Sequence, residues 1–219
     1  MTLGDIGVNE NVTWMGTTIQ FLDDTGATMT TDEYEDLGEV PLTFTYVKTS
    51  DGAETEGWYL ADDYGFAHLQ NSRIVPFGKG LLVDVSDADS ALVYAGKVAS
   101  DDTEVTLEYN FNFTGNCSPK DITYADIVPN ENVTWMGTTF QLLDDTGATM
   151  TTDEYEDLGE VPLTFTYVKT SDGAETEGWY LADDYGFAHL QNDRVLEAGA
   201  GILVDVSDAE ASLTFPSAL

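Results

Sequence analysis

Apolar and polar residues alternate strictly across residues 103–113, TEVTLEYNFNF. Val105, Leu107, Tyr109, Phe111 and Phe113 fall on one side of an extended chain. Thr106, Glu108, Asn110 and Asn112 fall on the other. A period of two over this length predicts a β-strand with one buried face. Shorter runs of similar character surround it. Residues 17–22, TTIQFL, read as a strand closed by the turn at 23–26. Residues 42–46, LTFTY, read as another, followed by a hairpin turn at Asp51-Gly52, because Asp-Gly tolerates positive φ. Residues 54–61 return, Asp62 to Gly65 turn again, and 66–69 make a short strand. Residues 81–85, LLVDV, are the most apolar strand; 86–90 turn and 91–95 close the set. Strands at intervals of about 8–12 residues with turns between them are the mark of an all-β sandwich. Residues 31–37, TDEYEDL, are the main helical candidate, with Thr31 as cap and acids in the first turn. Residues 123–127 are a second, shorter one.

The pattern occurs twice. A shift of 121 positions carries His68 onto His189, and residues 22–71 are identical to 143–192. The match extends back to Thr2 (Thr123) and forward to Val98 (Leu219). One repeat is one structural unit. The expected architecture is therefore all-β, with two tandem β-sandwich-like (jelly-roll-like) domains over 1–98 and 99–219. The second domain opens with the strand 103–113, and its repeat proper covers 122–219. That opening strand occurs only once. If it completes the second unit, the first lacks its opening strand. If it completes the first, the second lacks its closing strand.

Charge narrows the partners. The chain has 41 acidic and 7 basic residues, a net charge of −34. Phosphates would be repelled, which excludes nucleic acid, and an anionic membrane surface is equally unsuited. Such acidity fits an extracellular, cell-surface or high-salt setting, where screening and divalent cations relieve self-repulsion. No apolar run approaches the roughly 20 residues of a membrane span, so no membrane insertion is expected. Cys117 is the single cysteine, so no intrachain disulfide forms. Residues 1–12 have neither a basic start nor an apolar stretch and do not read as a signal peptide. Met1 aligns with Ile122, inside a repeat, so the natural chain is expected to begin earlier.

Candidate chemistry is sparse. His68 and His189, one per unit, have no nucleophile in a suitable setting, whereas a triad or a His-based metal site needs several groups converging. No catalysis is expected. Carboxylates are so abundant that a pair for glycoside hydrolysis carries no signal. Asp84, Asp87 and Asp89, repeated as Asp205, Asp208 and Glu210, sit at a strand end and its turn and are candidate calcium ligands, since calcium collects oxygens from such loops. The EF-hand spacing is missing, and acidic surface turns are common. Trp14, Trp58, Tyr59, Tyr64 and Phe66 are candidates for a sugar-stacking face, although aromatics also build cores. Asn11, Asn112, Asn116 and Asn132 match the glycosylation acceptor pattern.

Residues 111–119, FNFTGNCSP, followed by 122–127, resemble a "GfNfxGNxxP…I" opening. Trp58-Tyr59, Asn71 and 76–83, PFGKGLLV, resemble a "W…N…pGqGfwv" closing. Together they resemble β-repeat units, of no assigned activity, in secreted and cell-surface bacterial proteins. Cys117 stands where that pattern usually has an aromatic or Pro, and the second copy has Glu197 in place of Pro76. The resemblance implies a surface or appendage role. The expected function is a structural subunit of an extracellular filament or surface assembly, its partners copies of itself, joined head to tail by β-strand complementation. The donor is expected to be a neighbour's segment upstream of Met1 or its C-terminal residues 212–219. The competing expectation is a secreted carbohydrate-binding or adhesion module that takes glycans. An exposed line of aromatics favours the second, and an open sheet edge in one unit favours the first.

Overall fold

The computed structural model describes the chain except residues 24, 64, 76–80, 95–100, 117, 145–146, 185 and 218–219, and gives the backbone alone at residue 94. The described residues are all-β, built of antiparallel strands with short 3-10 turns and no α-helix. Contacts divide the chain into two compact units, Met1–Lys97 and Val98–Leu219.

In the first unit a four-stranded sheet runs in the order Gly57–Leu60, Thr43–Val47, Thr17–Gln20, Leu82–Val85. Ile6–Val8 pairs with Leu92–Tyr94 in a separate small sheet that packs on the same core. In the second unit the equivalent strands, Gly178–Leu181, Thr164–Val168, Thr138–Gln141 and Gly201–Val206, keep that order. Two strands are added there. Asn110–Gly115 lies outside Gly201–Val206, and Thr103–Thr106 lies on the far side of Ser212–Phe215, which also pairs with Val128–Pro129.

The sheets of each unit are held together sandwich-like by aromatic residues. Trp58 is fully buried, and its indole N–H donates to the carbonyl of Ile6, 2.9 Å away on the opposing sheet. Trp179 makes the same bond to Ile127, also 2.9 Å. A large ring is thus buried with its one polar atom paired. Phe44 and Ile19 complete the first core, Phe165 and Phe140 the second.

Residues 31–37 are not helical. Thr30–Tyr34 forms a hairpin with Gly38–Pro41, turned by Gly38 at φ 72°. A two-turn helix cannot support itself, whereas the hairpin packs Tyr34 and Val40 on the core. In the second unit the same pairing is kept over a shorter length, Thr151–Thr152 with Val161–Pro162. Residues 123–127 contain a single 3-10 turn, Tyr124–Asp126, whose Asp126 carboxylate accepts from the backbone and hydroxyl of Thr123. The short strand expected at 66–69 is reduced to one bridge between Tyr59 and Leu69, because Phe66 turns the backbone to φ 53°.

The largest departure concerns the alternating segment. Residues 103–113 do not form one strand with one buried face. They divide between Thr103–Thr106 and Asn110–Gly115, which belong to different sheets, and Asn110 takes φ 73° at the bend. The phase reverses across that bend. Val105 and Leu107 are buried, but Tyr109 is 66% exposed, and Phe111 and Phe113 are only partly covered. Asn112 and Thr114 face inward in their place. The Asn112 side chain closes the corner. Its oxygen accepts from the Glu108 N–H at 2.8 Å, and its nitrogen donates to the carbonyls of Glu108 at 2.7 Å and Asn110 at 3.2 Å. Where the ladder breaks, a polar side chain has to supply backbone partners.

Candidate functional site

Equivalent strands of the two units differ in what lies beside them. Gly201–Val206 is flanked by Thr138–Gln141 on one side and Asn110–Gly115 on the other. Its first-unit counterpart, Leu82–Val85, pairs with Thr17–Gln20 and is an edge among the described residues. Ser212–Phe215 has two neighbours, whereas its counterpart Leu92–Tyr94 has Ile6–Val8 alone among the described residues.

Burial follows pairing. Val206 is 1% exposed and its counterpart Val85 is 50% exposed. Val204 and Leu213 are fully buried, while Val83 and Leu92 are only partly so. Leu82 and Val93 are also exposed in the first unit. The same strand of the repeat is thus an edge with uncovered apolar residues in the first unit and an interior, buried strand in the second, among the described residues.

The second unit shows how such a face is closed. The Leu107 N–H donates to the Ala211 carbonyl at 2.9 Å, and the Ser212 hydroxyl donates to the Glu104 carboxylate at 2.7 Å. Gly115 lies opposite Gly201, where an added Cβ would sit 2.3 Å from the Ala200 carbonyl oxygen, so glycine permits the close approach. Asn116 ends the segment, its amide nitrogen donating to the carbonyls of Lys120, Leu196 and Glu197.

The acidic turn residues serve the fold. Asp87 accepts from the Thr13 hydroxyl and backbone N–H and from the Thr17 hydroxyl. These bonds, the Thr13 hydroxyl foremost, hold its carboxyl below the usual range. Asp208 repeats the arrangement with Thr134 and Thr138. Asp89 and Glu210 take positive φ and present their backbone carbonyls to Asn11 and Asn132. Asp84 and Asp205 are exposed on their strands. No group of three or more His, Cys, Asp or Glu converges to hold a metal among the described residues. The candidate calcium ligands are thus not brought together.

Two candidate glycosylation sites are corrected. Asn112 and Asn116 are 3% and 2% exposed, with their amide nitrogens engaged as donors, so neither can carry a glycan in the folded chain. Asn11 and Asn132 remain exposed. The sugar-stacking face is also reduced, because Trp58 and Tyr59 are core residues. Tyr64, Cys117 and the closing motif at 76–80 lie outside the described residues. What remains is Trp14, 40% exposed, edge-on to Phe66 with ring centres 4.9 Å apart, and the equivalent pair Trp135 and Phe187.

Each histidine is tied locally. The His68 N–H donates to Asp63 at 2.6 Å, its Nε2 pairs with Asp36 at 3.1 Å, and its ring packs on Tyr34. His189 repeats this with Asp184, Asp157 and Tyr155. The hydrogen bond from the histidine lowers the carboxyl pKa of Asp36 and of Asp157.

No family model, curated protein or solved structure matches the chain. The functional reading therefore rests on the contrast between the two units. The 81–85 run stood out by composition alone, but its open edge could not be seen, because the sequence of a repeat does not say what lies beside it.

Proposed function

We propose that the protein is a structural subunit of an extracellular filament or surface assembly, joined head to tail with copies of itself by β-strand complementation. The observation that supports this reading is the exposure of Val85 where Val206 is buried. Burying a side chain of this size in full is worth about 1.5–3 kcal/mol. Leaving Leu82, Val85 and Val93 about half uncovered forgoes on the order of 3 kcal/mol. An open edge with apolar flanks recruits a strand through main-chain hydrogen bonds and side-chain pockets. A joint between an acceptor at one end and a donor at the other does not close on itself unless its rotation forms a ring, so repetition gives a filament. One of the two expected donors is unsuitable. Ser212–Phe215 is held between Val128–Pro129 and Thr103–Thr106, inside the second core. That favours a segment outside residues 1–219 as donor.

The −34 charge supports an external, high-salt setting and argues against nucleic acid as partner. The second reading, a carbohydrate-binding or adhesion module, draws on the exposed Trp14 and Trp135 with their Phe partners. Electron microscopy of the protein in its native state tests the first. Unbranched filaments with a subunit-sized repeat are expected. Isolated particles at every salt and protein concentration would remove the filament reading and leave the adhesion module.

A further inference from the structure

In the second unit one segment covers both sheets. Thr103–Thr106 runs antiparallel to Ser212–Phe215, with Val105 opposite Leu213. Beyond the bend, Asn110–Gly115 runs antiparallel to Gly201–Val206, with Asn112 opposite Val204. What the segment turns inward changes along its length. Val105 and Leu107 enter the core in the first half, and Asn112 and Thr114 face inward in the second.

The first unit presents counterparts of both receiving strands, Leu82–Val85 and Leu92–Tyr94, each with one edge unpaired among the described residues. Residues 1–219 contain the pattern of 103–116 once. That copy is engaged, and removing it would uncover the second unit's face in turn. Exchange of this segment between copies therefore moves the vacancy without filling it.

We infer that the first unit accepts a β-strand, supplied from outside residues 1–219, that carries the pattern of residues 103–116. That pattern is apolar at the positions of Val105 and Leu107, asparagine at the position of Asn112, and small and polar at that of Thr114. The inference rests on the head-to-tail reading and adds the chemistry of the partner. The inward asparagine is the distinguishing feature. It lets one strand turn from the first sheet to the second without leaving backbone groups unpaired. A large apolar group at that position would not supply the bonds that Asn112 makes to the backbone of Glu108 and Asn110.

The test mixes the intact chain with a synthetic peptide of residues 101–116. One peptide binds per chain, and the amides of Leu82–Val85 and Leu92–Tyr94 exchange more slowly with solvent, while those of Gly201–Val206 are unchanged. A peptide with Asn112→Leu binds at least about tenfold more weakly, a loss of about 1.4 kcal/mol. Absence of binding, protection confined to Gly201–Val206, or equal affinity for the Asn112→Leu peptide overturns the inference. If the peptide is insoluble, a second copy of residues 101–121 is fused ahead of Met1. The fusion raises the melting temperature of the first unit and protects Leu82–Val85; no change in either overturns it. The outcomes separate the two readings. Peptide binding by a protein that never forms filaments leaves the acceptor standing and removes the filament. Filaments formed by a protein that ignores the peptide leave the filament standing and remove this acceptor.

Discussion

Val85 and Val206 hold the same position of one repeat, yet Val85 is 50% exposed and Val206 is 1% exposed. The strand that makes the difference is Asn110–Gly115, which sets Asn110 opposite Val206. The two residues should respond oppositely to the same change. Val206→Asp buries an uncompensated charge and should destabilise the second unit by roughly 3–5 kcal/mol. Val85→Asp should alter the stability of the dispersed chain by no more than about 0.5 kcal/mol, as for an ordinary surface position, yet abolish assembly. Urea denaturation and electron microscopy of both variants check this. Equal loss of stability would place Val85 in a closed core.

Asn112 holds the corner between the two halves of the covering strand. Asn112→Ala strands the N–H and carbonyl of Glu108 away from this partner. The expected cost to the second unit is about 1–3 kcal/mol, read as a lower urea midpoint. An unchanged midpoint would mean that the bend is held by other contacts.

Tyr124 is fully buried, and its hydroxyl has no hydrogen-bond partner among the described residues. Burial pushes the hydroxyl pKa up to about 12. Tyr124→Phe removes a desolvated polar group and keeps the ring contacts with Phe140 and Phe165. Stability should rise, by up to about 1 kcal/mol. Calorimetry would show a higher melting temperature for the second unit, and a lower one would point to a hidden partner for the hydroxyl.

Asp87 ties the loop at Thr13 to the sheet, and its carboxyl pKa is lowered in the fold. A lowered carboxylate pKa contributes stability that is present above the unfolded value and lost as pH falls through the folded one. Asp87→Asn should therefore lower the melting temperature at neutral pH. The gap between variant and parent should close as the pH drops below about 4. A gap that persists in acid would show that the geometry of the side chain matters and its charge does not.

Self-repulsion at −34 should be relieved by salt. Screening acts over about 10 Å at 0.1 M ionic strength, so melting temperatures should rise from low to high salt. No metal-holding cluster forms among the described residues. Calcium and a monovalent salt compared at equal ionic strength separate screening from site binding, and a far larger response to calcium would reveal a true site.

The all-β class was legible because alternation and turn residues act locally. LTFTY at 42–46 alternates, and Gly52 takes φ 106° where Asp-Gly suggested a tight turn. The inward direction of Asn112 was not legible. Periodicity assigns its phase to Phe111 and Phe113, and only the bend at Asn110 reverses it. The same blindness made Asn112 and Asn116 look like glycan acceptors, since a three-residue motif carries no burial. Thr31 to Leu37 has the cap and acids of a helix start, but the tertiary contacts of Tyr34 and Val40 decide for a hairpin. The open edge at Leu82–Val85 was not legible, because it depends on which unit Thr103–Thr106 and Asn110–Gly115 join.

Amide hydrogen exchange, measured on the dispersed chain and again on the native assembly, tests the central claim most directly. In the dispersed chain the amides of Leu82–Val85 should exchange much faster than those of Gly201–Val206. In the assembly they should become as slow as their counterparts. Equal protection of the two strands in the dispersed chain, or fast exchange at Leu82–Val85 in both states, would contradict an acceptor edge in the first unit.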